Sequence, residues 1–188
     1  MDRSGKHRPS LRLGRKHPRY GLGVLELVPF RREDRESILE WRNSPSVATF
    51  MYRDTPIGPE EHKSWFEKAM VDHPDQIHRL LLIDGYPSGV MSLSHIDRSQ
   101  RSAEWGGYLA PRVPRGVGHG RAFIEACLNL ARVDLRLHLV YVEVLESNTA
   151  ARRLYESIGF ELADRIKDRV VRDDEPIAAL RLKLALDG

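Results

Sequence analysis

Between an apolar stretch and a helix-patterned one, the chain runs Arg115-Gly116-Val117-Gly118-His119-Gly120. Few folds place so many glycines at such a junction. Glycine lets backbone N–H groups approach a ligand closely. At a helix N-terminus those donors join the positive end of the helix dipole and form an anion site. A phosphate-bearing ligand is therefore expected. Spacing sorts the nucleotide motifs. A P-loop needs Gly-Lys-Ser/Thr, which is absent. A dinucleotide fingerprint needs Gly-x-Gly-x-x-Gly, but position 121 is Arg and no acidic ribose partner follows in the right context. What remains is Arg-x-x-Gly-x-Gly, met by Arg115, Gly118 and Gly120. Taken alone, this pattern also fits a glycine turn that merely caps a helix.

The flanking pattern sets the architecture. Residues 23–29 read as a strand, Asp34 to Asn43 as a helix that Ser44-Pro45 ends, and Pro59-Glu60-Glu61 as the start of a second helix. Strands follow at 78–84, 88–96 and 102–109, the first two joined by an Asp84-Gly85 hairpin turn. Residues 119–132 carry Phe123, Cys127, Leu130 and Ala131 on one helical face. Leu137 to Val144 reads as a strand buried on both faces. A helix over 149–158, capped by Ser147 or Asn148, and strands at 160–167 and 176–185 complete the chain. An antiparallel meander thus precedes a β-α-β-α-β half, which implies a mixed α/β sheet rather than a doubly wound one.

A second segment sharpens the first. Asn148-Thr-Ala-Ala-Arg-Arg-Leu-Tyr155-Glu-Ser-Ile-Gly159-Phe160 resembles the GNAT acetyltransferase pattern Asn-x-x-Ala-x-x-Leu-Tyr-x-x-x-Gly-Phe, and the glycine loop resembles that family's pyrophosphate loop. The resemblance covers about residues 22–168. It implies an α/β (α+β) GNAT fold, with a mixed, mostly antiparallel sheet of about seven strands and about four helices. It also implies acetyl-CoA as co-substrate, no metal, and direct attack of an amine on the thioester. Residues Arg115, Gly116, Val117, Gly118, His119, Gly120 and Arg121 would hold the pyrophosphate, and Asn148 the pantetheine arm. A backbone N–H at Leu109 or Ala110 would polarise the carbonyl. Tyr155 would protonate the departing thiolate, a task that suits a phenol still protonated at neutral pH. Glu143 and Glu104 are the candidate bases, with His95 or a water relay behind them. Cys127 lies on the apolar helix face and reads as core.

A narrower resemblance lies in the first third. Leu39-Glu-Trp-Arg42-Asn43, Met51-Tyr52 and Glu61-His62 with Trp65 and Phe66 are similar to the PseH family. That family acetylates the 4-amino group of a UDP-linked aminodideoxy sugar on the route to pseudaminic acid. Arg42, Met51, Tyr52, His62, Trp65 and Glu143 would then line the sugar-nucleotide pocket. Arg-Asn followed by a Glu-Glu-His helix also resembles RimJ/RimL-like enzymes, which acetylate protein N-termini and other amines. A non-catalytic acyl-CoA-binding module is the remaining alternative.

Charge separates the partners. The first 20 residues hold seven basic side chains and one acid, +6 of an overall +3, which leaves the rest at −3. Residues 1–20 therefore read as a disordered basic tail dispensable for chemistry, and residues 21–188 as one domain with no broad surface for nucleic acid. The expected partner is a small-molecule amine, and a homodimer stays open. A lone cysteine and the lack of apolar runs argue for a cytoplasmic protein without membrane contact.

Overall fold

A computed structural model describes residues 11–12, 23–172 and 174–186. The strands are β1 (Leu11–Arg12), β2 (Leu25–Val28), β3 (Ile77–Ile83), β4 (Tyr86–Asp97), β5 (Ser102–Leu109), β6 (Leu139–Leu145), β7 (Glu161–Arg172) and β8 (Glu175–Ala185). The helices are α1 (Arg35–Asn43), α2 (Pro45–Ala48), α3 (Pro59–Ala69), α4 (His119–Asn129) and α5 (Thr149–Ile158). All strands join one sheet in the order β1-β2-β3-β4-β5-β6-β8-β7. Every pairing is antiparallel except β5 with β6. The mixed, mostly antiparallel sheet is the one the sequence implies.

Three local readings need correction. Pro45 does end α1, but it also opens the extra one-turn helix α2, because its fixed φ suits a first helical position. Helix α4 is regular only to Asn129 and closes in a wider π-type turn over Leu130–Asp134. Strand β6 is fully buried on one face only: Val140, Val142 and Val144 are buried, while Leu139, Tyr141 and Glu143 on the other face are only partly buried. The basic segment 1–20 lies outside the described residues except for Leu11–Arg12, which pair with Leu27 and Glu26 at the sheet edge.

The core follows the two periodicities. Leu27, Leu80, Leu81, Met91, Leu93 and Val140 come from the strands, and Ile38, Phe66, Phe123, Cys127 and Ala131 from the helices and the turn after α4. Burying a side chain of the Leu or Phe class stabilises by about 1.5–3 kcal/mol. No helix among the described residues is long and apolar enough to cross a membrane.

What positions the site is a split in the sheet. Strand β6 pairs with β5 only through Ser102, Ala103 and Glu104. Beyond Glu104 the two strands diverge, and the space between them is the cleft.

Candidate active site

The cleft has two connected parts. One, of about 590 Å³, runs between the ends of β5 and β6 and along α4 and α5, with Arg115, Gly120, Asn148 and Tyr155 in its wall. The other, of about 450 Å³, lies under α1 and α3 and is lined by Arg42, Glu61, His62, Trp65, His78 and Tyr108. Met51, Gly106, Gly107 and Tyr108 belong to both.

The first part runs from the glycine loop to the buried Tyr155. Gly118, at φ 103°, caps α4 in the left-handed region, where a side chain is strained. Among the described residues, the backbone N–H groups of Gly116 to Arg121 donate to no protein acceptor. They are the free donors of a helix start. The two flanking arginines do other work. Arg115 donates to the Leu109 carbonyl at 3.1 Å and ties the loop to β5. Arg121 donates to Ser157 and pairs with Glu125 at 3.2 Å. Its side chain therefore clamps α4 to α5, and only its backbone N–H is left for a ligand.

Ladder geometry separates the two carbonyl-binding candidates. Ala110 N–H donates to the Ser88 carbonyl at 2.9 Å, which removes it from that role. Leu109, facing Gly89, is then a non-hydrogen-bonded pair with β4. Its N–H points the other way, into the split.

Asn148, in the wall of this part, caps α5 by accepting from Ala151 N–H at 3.2 Å. One helical face carries Tyr155 into the same cavity, 8% exposed, where its hydroxyl accepts from Trp105 Nε1 at 3.2 Å. Burial pushes the phenol up to about 12, against a smaller opposing effect of the Trp105 bond. The proton is therefore held throughout the neutral range. Cys127 is fully buried with its thiol pushed up by desolvation, and it is core as the helical pattern indicates.

In the second part, charged and aromatic groups meet. Arg42 donates through Nη2 to the Arg53 carbonyl at 2.7 Å, while its buried Nη1 has no partner. Burial lowers its affinity for a proton, as does the nearby Arg53, although Tyr108 opposes this. Glu61, the cavity's one carboxylate among the lining residues, is bound to Arg53 at 2.5 Å. His62 is buried with neither ring nitrogen bonded. Trp65 lies 5.2 Å from it, ring centre to ring centre, and edge-on to His78 at 5.4 Å. Burial pushes both histidines down from the ordinary imidazole range, His78 to about 4.

In the wall of the first part, next to the shared Met51, Tyr52 donates to Glu143 Oε2 at 2.6 Å, and Arg169 Nε reaches the same oxygen at 3.2 Å. The Arg169 guanidinium lies 4.2 Å over the Tyr52 ring. Arg172 donates to the carbonyls of Thr49 and Met51 and pairs with Asp54 at 3.1 Å. The β7–β8 hairpin is thereby strapped to the loop after α2.

Of the sequence candidates, Arg42, Met51, Tyr52, His62, Trp65, Glu143, Asn148 and Tyr155 come together around this cleft. Glu104 and His95 do not. They face each other at 3.7 Å, in the wall of neither cavity, and His95 is 81% exposed. The reason is topological: Glu104 lies opposite Tyr141 in the closed part of the sheet, before the strands part. Sequence reasoning missed Trp105, His78, Arg169 and Arg172. No motif marks them. Only the unusual Asp-Arg-Val-Val-Arg run at the hairpin hints at the last two.

Comparison with known proteins accords with this geometry. Among the curated proteins, acetyltransferase PseH of Campylobacter jejuni is 26% identical over 133 residues, 71% of this chain and 80% of that protein. The fold is shared with spermidine N-acetyltransferase from Vibrio cholerae in complex with CoA and spermine, at TM-score 0.78 and 22% identity over 86% of this chain and 95% of that one. It is shared also with Mycobacterium smegmatis RimJ in complex with CoA-disulfide, at TM-score 0.76 and 19% identity over 89% and 84%. The acetyltransferase (GNAT) domain model matches residues 25–161. Spanning most of the described chain, that match establishes that the protein belongs to the GNAT family and is an acetyl-CoA-dependent N-acetyltransferase.

Proposed function

We propose that the acceptor is the amino group of a UDP-linked aminodideoxy sugar, acetylated at its 4-amino position. One observation carries this reading: Arg42, in the wall of the acceptor cavity, has a buried guanidinium nitrogen, Nη1, without a partner. Its single lining carboxylate is already paired. An unsatisfied buried donor of this kind costs about 1–3 kcal/mol, and more on a charged group, so it calls for an anion. A diphosphate would accept from Arg42, and Trp65 offers a face for the uracil. The 26% identity to PseH supports the same class. A polycation such as spermidine would meet a guanidinium and have no unpaired carboxylate there. A peptide N-terminus would need an open groove where Arg169 and Arg172 strap the hairpin down.

The chemistry is then divided among the chain's own groups. The N–H donors of residues 116–121 receive the pyrophosphate of acetyl-CoA, and the Asn148 amide nitrogen receives the pantetheine arm. Leu109 N–H polarises the thioester carbonyl at the split. Glu143, its Oε2 fixed by Tyr52 and Arg169 and its Oε1 3.9 Å from Arg181 Nη1, accepts the amine's proton through Oε1, directly or across one water. The neutral amine attacks the thioester, and Tyr155 returns a proton to the thiolate. No covalent enzyme intermediate is needed.

The test is thiol release from acetyl-CoA over a panel of UDP-4-amino sugars, spermidine and N-terminal peptides. Turnover of the sugar nucleotides with little of the others is expected. Activity on peptides or spermidine alone would overturn the acceptor assignment while leaving the acetyltransferase activity in place.

A further inference from the structure

We propose that Trp105 is a positioning residue for the proton donor: its indole N–H, held by Phe123 and Gly107, orients the Tyr155 hydroxyl and stabilises the phenolate left after proton transfer. The inference rests on the reading of Tyr155 as the acid.

The geometry is specific. Trp105 Nε1 donates to the Tyr155 oxygen at 3.2 Å across a buried contact between β5 and α5. A phenol oxygen that accepts from this side must send its own O–H elsewhere, and Tyr155, whose ring packs on Phe160, also lines the cleft. The indole cannot turn away. Phe123 meets it edge-on with ring centres 5.4 Å apart. A Cβ placed on Gly107 would stand 2.5 Å from the indole Cη2. The chain therefore has glycine where the ring crosses β5, at a position shared by both cavities. Of the effects on the phenol's acidity, burial raises its pKa and the Trp105 bond opposes it.

The step balances. As the tetrahedral adduct collapses, the C–S bond breaks and its electron pair goes to sulfur. The Tyr155 O–H bond breaks as the S–H bond forms. The resulting phenolate is buried and would be costly without a donor. Trp105 N–H is that donor, and a hydrogen bond to a charged oxygen is stronger than one to a neutral one. Glu143 has taken the proton that freed the amine to attack; the second proton, shed by the nitrogen as the amide forms, restores the phenol, so no other reactant enters.

A role confined to satisfying a buried indole N–H predicts something different, and a double-mutant cycle separates the two. Trp105→Phe removes the donor and keeps an aromatic ring. Benzothienylalanine at position 105, the sulfur isostere of tryptophan, removes the donor at constant volume should the phenylalanine variant fold poorly. Turnover is expected to fall about ten- to a hundredfold, with the Michaelis constant for acetyl-CoA within about twofold of wild type. In a Tyr155→Phe background the same change should have little further effect on turnover. A normal solvent deuterium isotope effect on turnover should grow in the single variant, because proton transfer becomes slower. Equal losses in both backgrounds, or no loss with Tyr155 intact, would overturn the coupling while a large Tyr155→Phe defect left Tyr155 as the acid. Wild-type turnover in Tyr155→Phe would overturn both.

Discussion

The donor wall of the cleft is built mainly from near neighbours in the chain, and the acceptor wall is not. Gly118 caps the helix that follows it, Asn148 caps the helix that carries Tyr155, and Arg115 reaches back six residues to Leu109. On the acceptor side, Tyr52 meets Glu143 across 91 positions and Arg172 meets Met51 across 121. Local geometry is set by spacing, helix caps and glycine, which a sequence displays. Distant pairing is set by sheet order and register, which it does not. The two walls should accordingly fail in different ways.

The largest effect is expected from Tyr155→Phe, which keeps the ring and removes the proton donor. Turnover should fall about 10²- to 10⁴-fold, with acetyl-CoA affinity nearly retained. Steady-state kinetics with calorimetry checks this, and a matching loss of affinity would show that Tyr155 binds rather than reacts.

Next comes Gly118→Val. A β-branched residue at φ 103° is strained, by about 1–3 kcal/mol, and it disorders the free donors ahead of α4. Acetyl-CoA affinity should fall by about a hundredfold, and acceptor affinity should not. If both fall together, the two walls are not independent.

Arg172→Ala probes the opposite wall. Releasing the loop that carries Met51 and Tyr52 should raise the acceptor's Michaelis constant by about tenfold, the scale of one hydrogen bond to a charged group. Acetyl-CoA binding should be spared. An unchanged acceptor constant would make the strap dispensable.

The last effect falls on the fold rather than on catalysis: a pH dependence of stability. Burial, together with Arg79 and His73, lowers His78 to about 4, and Asp72 opposes this only in part. The unfolded chain takes up a proton near pH 6.5, where the folded chain refuses it. Stability is thus full above about 6.5 and falls as pH drops towards 4, by up to about 1.4 kcal/mol per pH unit. Melting temperatures at pH 7 and 5 measure the slope, which His78→Phe should flatten.

How much of this the sequence displayed follows the same division. The strand–glycine-loop–helix unit and the Asn148–Tyr155 helix could be read directly, because capping and the seven-residue spacing are local. Glu143 could be found, because a carboxylate between valines on a strand implies that one face is wet. Glu104 shared the right strand parity and still failed, because parity does not say where two strands part. Ala110 failed for a related reason: which N–H a ladder consumes depends on a partner, Ser88, far off in sequence. Pro45 was legible as a stop but not as the start of α2. Trp105 and Arg172 act through partners 50 and 121 positions away, and Arg169 reaches Glu143 across 26 positions and lies over Tyr52 from still farther along the chain, and no spacing rule reaches that far.

The central claim is that the acceptor wall is an anion site organised by Arg42, separate from the acetyl-CoA site. Calorimetric titration of UDP into the CoA-saturated protein and into its Arg42→Ala variant tests it directly. Binding to the wild type that weakens about ten- to a hundredfold in the variant, with CoA affinity unchanged, is the predicted result. No UDP binding, or UDP binding that survives the loss of Arg42 intact, would contradict it.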